Sequence, residues 1–187
     1  MADSLGVCRR YLFFAGDFGD WRNAGIALPA GWERERQQGR GLGERLERAF
    51  REVFRRGARK VIAIGVDTPW MGRGRLRVAF DWLDRADVVL GPCADGGYYL
   101  IGMRGLASGV FREVGWGTGT VLAATRRALE SARASYRLLP PDFDLDRWED
   151  LERARAMLRK HPGRAPALAA WIKHDYAIQP PPSTLSS

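Results

Sequence analysis

Apolar residues recur along this chain at two spacings. Short runs at positions 8–14, 60–66, 87–91, 98–103 and 136–139 have strand length. The second run shows no polar alternation, the pattern of a central strand in a parallel sheet covered on both faces. Between the runs the spacing turns helical. Leu46, Phe50, Val53 and Phe54 share one face of a segment over 44–56 whose other face carries Arg and Glu. Leu76, Ala79, Phe80 and Leu83 line a second helix, and a third runs to about residue 131 with Thr118 or Thr120 as its cap. A strong last helix starts at Asp146 and reaches about residue 160.

Strands alternating with helices, with one direct strand pair across Ala94-Asp95-Gly96-Gly97, predict an α/β fold. It is a Rossmann-like three-layer sandwich with a mainly parallel sheet. The domain spans residues 1–160; residues 161–187 form a short helix over 165–174 and a mobile tail after Pro180-Pro181-Pro182.

Composition narrows the class. The chain has 187 residues, 45% hydrophobic and 28% charged, enough for one domain with a sizeable core. A disordered polymer and a collagen-like repeat are excluded. No apolar run approaches the roughly 20 residues that span a bilayer. Asp3 precedes the short apolar stretch and Arg9 and Arg10 follow it, the wrong order for a secretory signal, so a cytoplasmic protein is expected. Thirty Lys and Arg against 22 Asp and Glu give a net charge of +8, but the cations are nearly all Arg and spread through the helices. Nucleic acid is therefore not the expected partner, while a small polyphosphate ligand would use the same field. Cys8 and Cys93 have no paired spacing and read as small buried apolar residues.

Several groups can carry chemistry. Asp67, at the end of the 60–66 strand and stiffened by Pro69, is a metal ligand or a loop or helix cap; the pattern leaves both open. Asp95, Gly96 and Gly97 let a backbone pass close to a ligand, or simply turn a hairpin. Asp142, Asp144 and Asp146, with Glu149 after them, cluster at a strand-to-helix transition. One of them could share a Mg²⁺ with Asp67 across a diphosphate, and Asp146 with Glu149 also has the form of a capping box. Gln38, Gly39, Gly41 and Gly43 precede a helix whose N-terminus can hold an anion, although the spacing fits neither a Walker loop nor GxGxxG. His161 and His174 have no metal-ligand spacing and read as surface residues.

In this order, QGRGLGERL (38–46), VIAIGVDTPW (61–70), DVVLGPCADGGYYLIGMRG (87–105), VGWGTGTVLAAT (114–125) and LLPPDFDLDRWEDLERA (138–154) resemble a bacterial family of uncharacterised glycosyltransferase-A-like proteins. That family is similar to nucleotide-diphospho-sugar transferases and to the guanylyltransferases of 2-phospholactate and molybdenum cofactor synthesis. The resemblance implies a nucleotide-binding fold, a nucleotide or nucleotide-sugar donor, a small-molecule acceptor and dependence on Mg²⁺ or Mn²⁺. It also implies metal-ligand roles for Asp67, Asp144, Asp146 and Glu149, and a place beside the substrate for Asp95, Gly96 and Gly97. Val66 stands where the family has Ser, and Arg147-Trp148 where it has Thr-Pro. The resemblance further implies a first strand and a basic loop, G-R-V-K-T-R-L, ahead of this chain's first residues. A misplaced start, a truncated chain, or a degenerate form that pairs its strands with another copy would each account for this.

Overall fold

The structure, a computed structural model, describes residues 8–16, 25, 27–107, 109–112 and 114–174. Strands β1 (Arg10–Phe14) and β2 (Trp32–Arg36) form a parallel pair. Helix α1 (Leu42–Arg55), strand β3 (Val61–Ile64), helix α2 (Arg73–Trp82) and strands β4 (Val88–Pro92) and β5 (Tyr98–Met103) follow. Helix α3 (Val121–Ser131), strand β6 (Tyr136–Leu138), helix α4 (Trp148–Lys160), a 3-10 turn (Pro162–Arg164) and helix α5 (Pro166–His174) complete the described chain. The expected tail after residue 180 lies outside the described residues.

The main sheet has the order β3-β5-β4-β6 and is mixed, which corrects the expectation of a mainly parallel one. Only β4 and β6 are parallel; β5 runs antiparallel to both β3 and β4. The cause is the short turn after β4, which returns the chain at once, and an immediate return is antiparallel. Strand β5 therefore takes the central place that the unbroken apolar run suggested for β3. Val88, Val89, Leu90, Leu100, Ile101 and Met103 are buried, while β3 is an edge strand with Ile64 43% exposed. Among the described residues β3 pairs only with β5.

Helices cover both faces of the main sheet. Alternation along β4 sends Val88 and Leu90 to one face, where Phe50 of α1 and Leu129 of α3 cover them with Ile101 and Met103. It sends Val89 to the other face, against Ala79 of α2, Leu83, Leu100 and Leu139. A third cluster joins α4 and α5 to the loops at one end of the sheet: Trp70 and Phe143 stack at 4.3 Å between ring centres, beside Ala154, Leu158 and Ala165.

Asp87 ties the start of β4 to β6. Its carboxylate accepts from the Ser135 N–H at 2.8 Å and hydroxyl at 2.6 Å, and from Arg104 Nε at 2.9 Å. The Ser135 hydroxyl and N–H, then Arg104, lower its pKa to about 2. A carboxylate depressed by folding stabilises the fold above its unfolded pKa of about 3.9, and that stabilisation is lost as pH falls to the folded value. Asp87→Asn is expected to cost about 1 kcal/mol or less at pH 7, because the site is partly exposed. Denaturant melts from pH 7 down should show the difference shrinking between about pH 4 and pH 2.

Candidate active site

Three loops at the carboxyl end of the strands meet. After β3 the chain turns through Gly65, Val66 and Asp67, and a side chain at Gly65 would come within 2.3 Å of Asp67 Oδ1. Glycine there lets the Asp67 carboxylate fold back over its own strand end. The loop after β6 is zipped to its neighbours: Asp142 N–H donates to Pro92 O and Ala94 N–H to Asp142 O, both at 3.0 Å, and Leu145 N–H donates to Asp67 O at 2.9 Å. Asp144 and Asp146 flank Leu145 and so face the same loop.

The result is two overlapping groups. Carboxylate oxygens of Asp67, Asp144 and Asp146 lie within 4.8 Å of one another, and so do ligand atoms of Cys93, Asp95 and Asp144. Asp144, half-buried, belongs to both. Burial, followed by the negative charges of Asp95, Asp146 and Asp67, pushes its carboxyl above the usual carboxylate range. Cys93 is 7% exposed, and burial, followed by Asp144 and Asp95, pushes its thiol far up, so it stays protonated and is no nucleophile at neutral pH. Among the described residues no Lys or Arg pairs with Asp67, Asp95, Asp144 or Asp146. Their neighbour Asp142 is instead clamped by Arg75 and Arg164.

Glu149 is not brought in. It sits exposed in the first turn of α4, outside both groups. The capping arrangement expected of Asp146 and Glu149 falls one residue later, where the Asp150 carboxylate accepts from Arg147 N–H at 3.0 Å. That shift leaves the Asp146 carboxylate free of capping duty and able to face Asp67.

The glycine-bearing segments serve packing as well as access. Gly96 has φ +88°, and a Cβ there would lie 2.1 Å from Gly119 O, so the room beside it is filled by the 117–120 loop. Gly97 N–H donates to Asp95 Oδ1 at 2.8 Å, closing a turn around the acid. Gly96 O also accepts from Leu122 N–H at 2.9 Å, while Thr120, at the N-cap of α3, makes no side-chain cap. Gly43 is held against Trp116, whose Nε1 would be 2.4 Å from a Cβ. Gly41 alone of that loop's three glycines is in open space, at the N-cap of α1. Gln38 and Gly39 border a cleft of ≈ 470 Å³ that also carries Arg36 and Arg45, two cations the motif reading did not single out. His161 and His174 are exposed, as expected.

No helix among the described residues is long and apolar enough to cross a membrane. The fold is similar to that of a protein of Desulfovibrio desulfuricans G20 described as a candidate nucleotide-diphospho-sugar transferase. The TM-score is 0.77 at 28% identity over 89% of this chain and 74% of that one. Rv0371c of Mycobacterium tuberculosis H37Rv shares the fold at a TM-score of 0.52 and 24% identity, over 81% of this chain and 77% of that one. A comparison with curated proteins finds no match. The chain thus has a mixed α/β fold of the nucleotide-diphospho-sugar transferase kind. A family profile described as "Uncharacterized protein conserved in bacteria" (DUF2064) matches residues 2–118, and the chain belongs to that family.

Proposed function

We propose that this protein is a metal-dependent transferase acting on a nucleotide-activated donor, by glycosyl or nucleotidyl transfer to a small-molecule acceptor. The observation that carries the reading is the convergence of four carboxylates, with no Lys or Arg paired to them among the described residues, in a chain of net charge +8. Carboxylate oxygens are the donors that Mg²⁺ and Mn²⁺ take, at about 2.1 Å for Mg²⁺. Asp67, Asp144 and Asp146, whose carboxylate oxygens lie within 4.8 Å of one another, would hold one such ion. Bound there, the cation would neutralise the charge that develops on the departing phosphate or diphosphate. The residues themselves fix the geometry: Asp67 through Gly65, and Asp144 and Asp146 through the Leu145 N–H. Asp95, held by Gly97 N–H and grouped with Asp144, is the candidate to take the acceptor's proton. The Gln38 to Gly43 loop and its arginine-lined cleft suit an anionic part of the donor.

A second reading is a nucleotide-binding family member without catalysis, favoured by β3, the strand that leads to Asp67, pairing among the described residues with β5 alone. One titration separates them. UDP-, GDP- and CDP-sugars and the four NTPs, each with and without Mn²⁺ or Mg²⁺, are added to wild type and Asp67→Asn while melting is followed. A ligand at about 100 times Kd stabilises by about 2.7 kcal/mol, roughly 5–10 °C here. A rise that needs both the ion and Asp67 is the expected result. A nucleotide effect indifferent to the ion would favour the second reading, and no effect from a folded protein would end both.

A further inference from the structure

Asp142 is the best-connected carboxylate of the acidic loop, yet it belongs to neither ligand group. Its side chain is 8% exposed. It accepts from Trp70 Nε1 at 3.1 Å and from its neighbour Phe143 N–H at 3.0 Å, is in close contact with the Arg75 guanidinium, and has Arg164 Nη2 at 3.8 Å. Its backbone bonds Pro92 and Ala94. The contacts with Trp70, Phe143, Pro92 and Ala94 lead to the segments that carry the acid cluster. Trp70 lies three residues after Asp67, Ala94 is joined to Asp95, and Asp142 itself lies two residues before Asp144. Two guanidinium groups satisfy the Asp142 charge, which is what allows a carboxylate to stay buried next to four others.

We propose that Asp142 is the positioning residue of the acid cluster: with its carboxylate on Trp70 and Arg75 and its backbone on Pro92 and Ala94, it joins three loops at one residue and sets the spacing of Asp67, Asp95 and Asp144. The inference depends on the metal reading above only in the affinity arm of its test. Asp142→Asn keeps the shape of the side chain but leaves Arg75 without its counter-charge. Trp70→Phe removes one donor while keeping an aromatic ring on Phe143, and stands in should the first variant not fold. Residue-resolved amide exchange and Mn²⁺ affinity by calorimetry are read on both, well below melting.

The expected result is exchange at Leu145 and Ala94 at least about tenfold faster, with the β5 amides unchanged, and Mn²⁺ binding roughly 10- to 100-fold weaker. A purely stabilising role would instead speed exchange across the sheet and leave the affinity of the folded protein intact. Unchanged exchange at Leu145 and Ala94 would overturn the proposal whatever the affinity does. So would faster exchange with undiminished Mn²⁺ binding. If wild type binds no Mn²⁺, the metal reading alone fails, and the exchange result decides whether Asp142 holds the loops.

Discussion

Asp144→Asn is expected to raise the melting temperature of the metal-free protein by a few degrees at pH 7 while weakening its Mn²⁺ binding at least about tenfold. The two effects have one cause. Burial and the charges of Asp95, Asp146 and Asp67 raise the Asp144 carboxyl above its unfolded value. A group whose acid is raised by folding binds its proton more readily in the folded state, so stability falls as pH climbs from about 3.9 through the folded pKa. Above that window the full cost is present, and asparagine removes it. Below about pH 4 both forms are neutral and the advantage of the variant should vanish. The same four carboxylates that repel one another are what a divalent cation would neutralise, so the residue that costs stability is the one that binding needs. Melting curves from pH 3 to pH 8, each with and without Mn²⁺, read both halves. A variant that melts lower than wild type at pH 7, or keeps its Mn²⁺ response, would contradict this account of the site.

Part of this arrangement is legible in the chain. Leu46, Phe50, Val53 and Phe54 announce α1 because an amphipathic face needs only local spacing, and the burial of Phe50 and Val53 follows it. Asp67 and the Asp144-Leu145-Asp146 triplet are visible because strand ends are where open α/β sheets hold ligands. The sheet order is not local. Val61–Ile64 reads the same as a centre or an edge, and its place is decided by the turn after Pro92, some thirty residues on, which sends β5 between β3 and β4. The cap of α4 slips by one residue for a similar reason. An acid three or four positions into a helix fits two cap registers, and Asp150 fills the later one. Arg75 and Arg164 carry no motif, Trp70 only closes the 61–70 motif, and only folding shows that all three converge on Asp142. Gly65 does carry a signal: a glycine two before a strand-end carboxylate leaves room for that side chain to fold back.

Among the described glycines, Gly96→Ala should be the most damaging change. The residue has φ +88°, where a side chain costs roughly 1–2 kcal/mol. Its Cβ would also lie 2.1 Å from Gly119 O and 2.7 Å from Gly119 C, backbone atoms that cannot swing aside. The 117–120 loop must then move, and with it the bond from Leu122 N–H to Gly96 O that starts α3. The expected loss is about 3 kcal/mol, a drop of roughly 6–12 °C for a domain of this size. Gly117→Ala is the matched control, because Gly117 has φ +81° but no heavy atom within 4 Å of the place its methyl would take. It should lose only the backbone part, about 1 kcal/mol. The difference between the two melts isolates the contact of the Asp95 turn with the 117–120 loop. Equal losses would mean that the turn does not rest on Gly119, and the glycine pair after Asp95 would then be there for the hairpin alone.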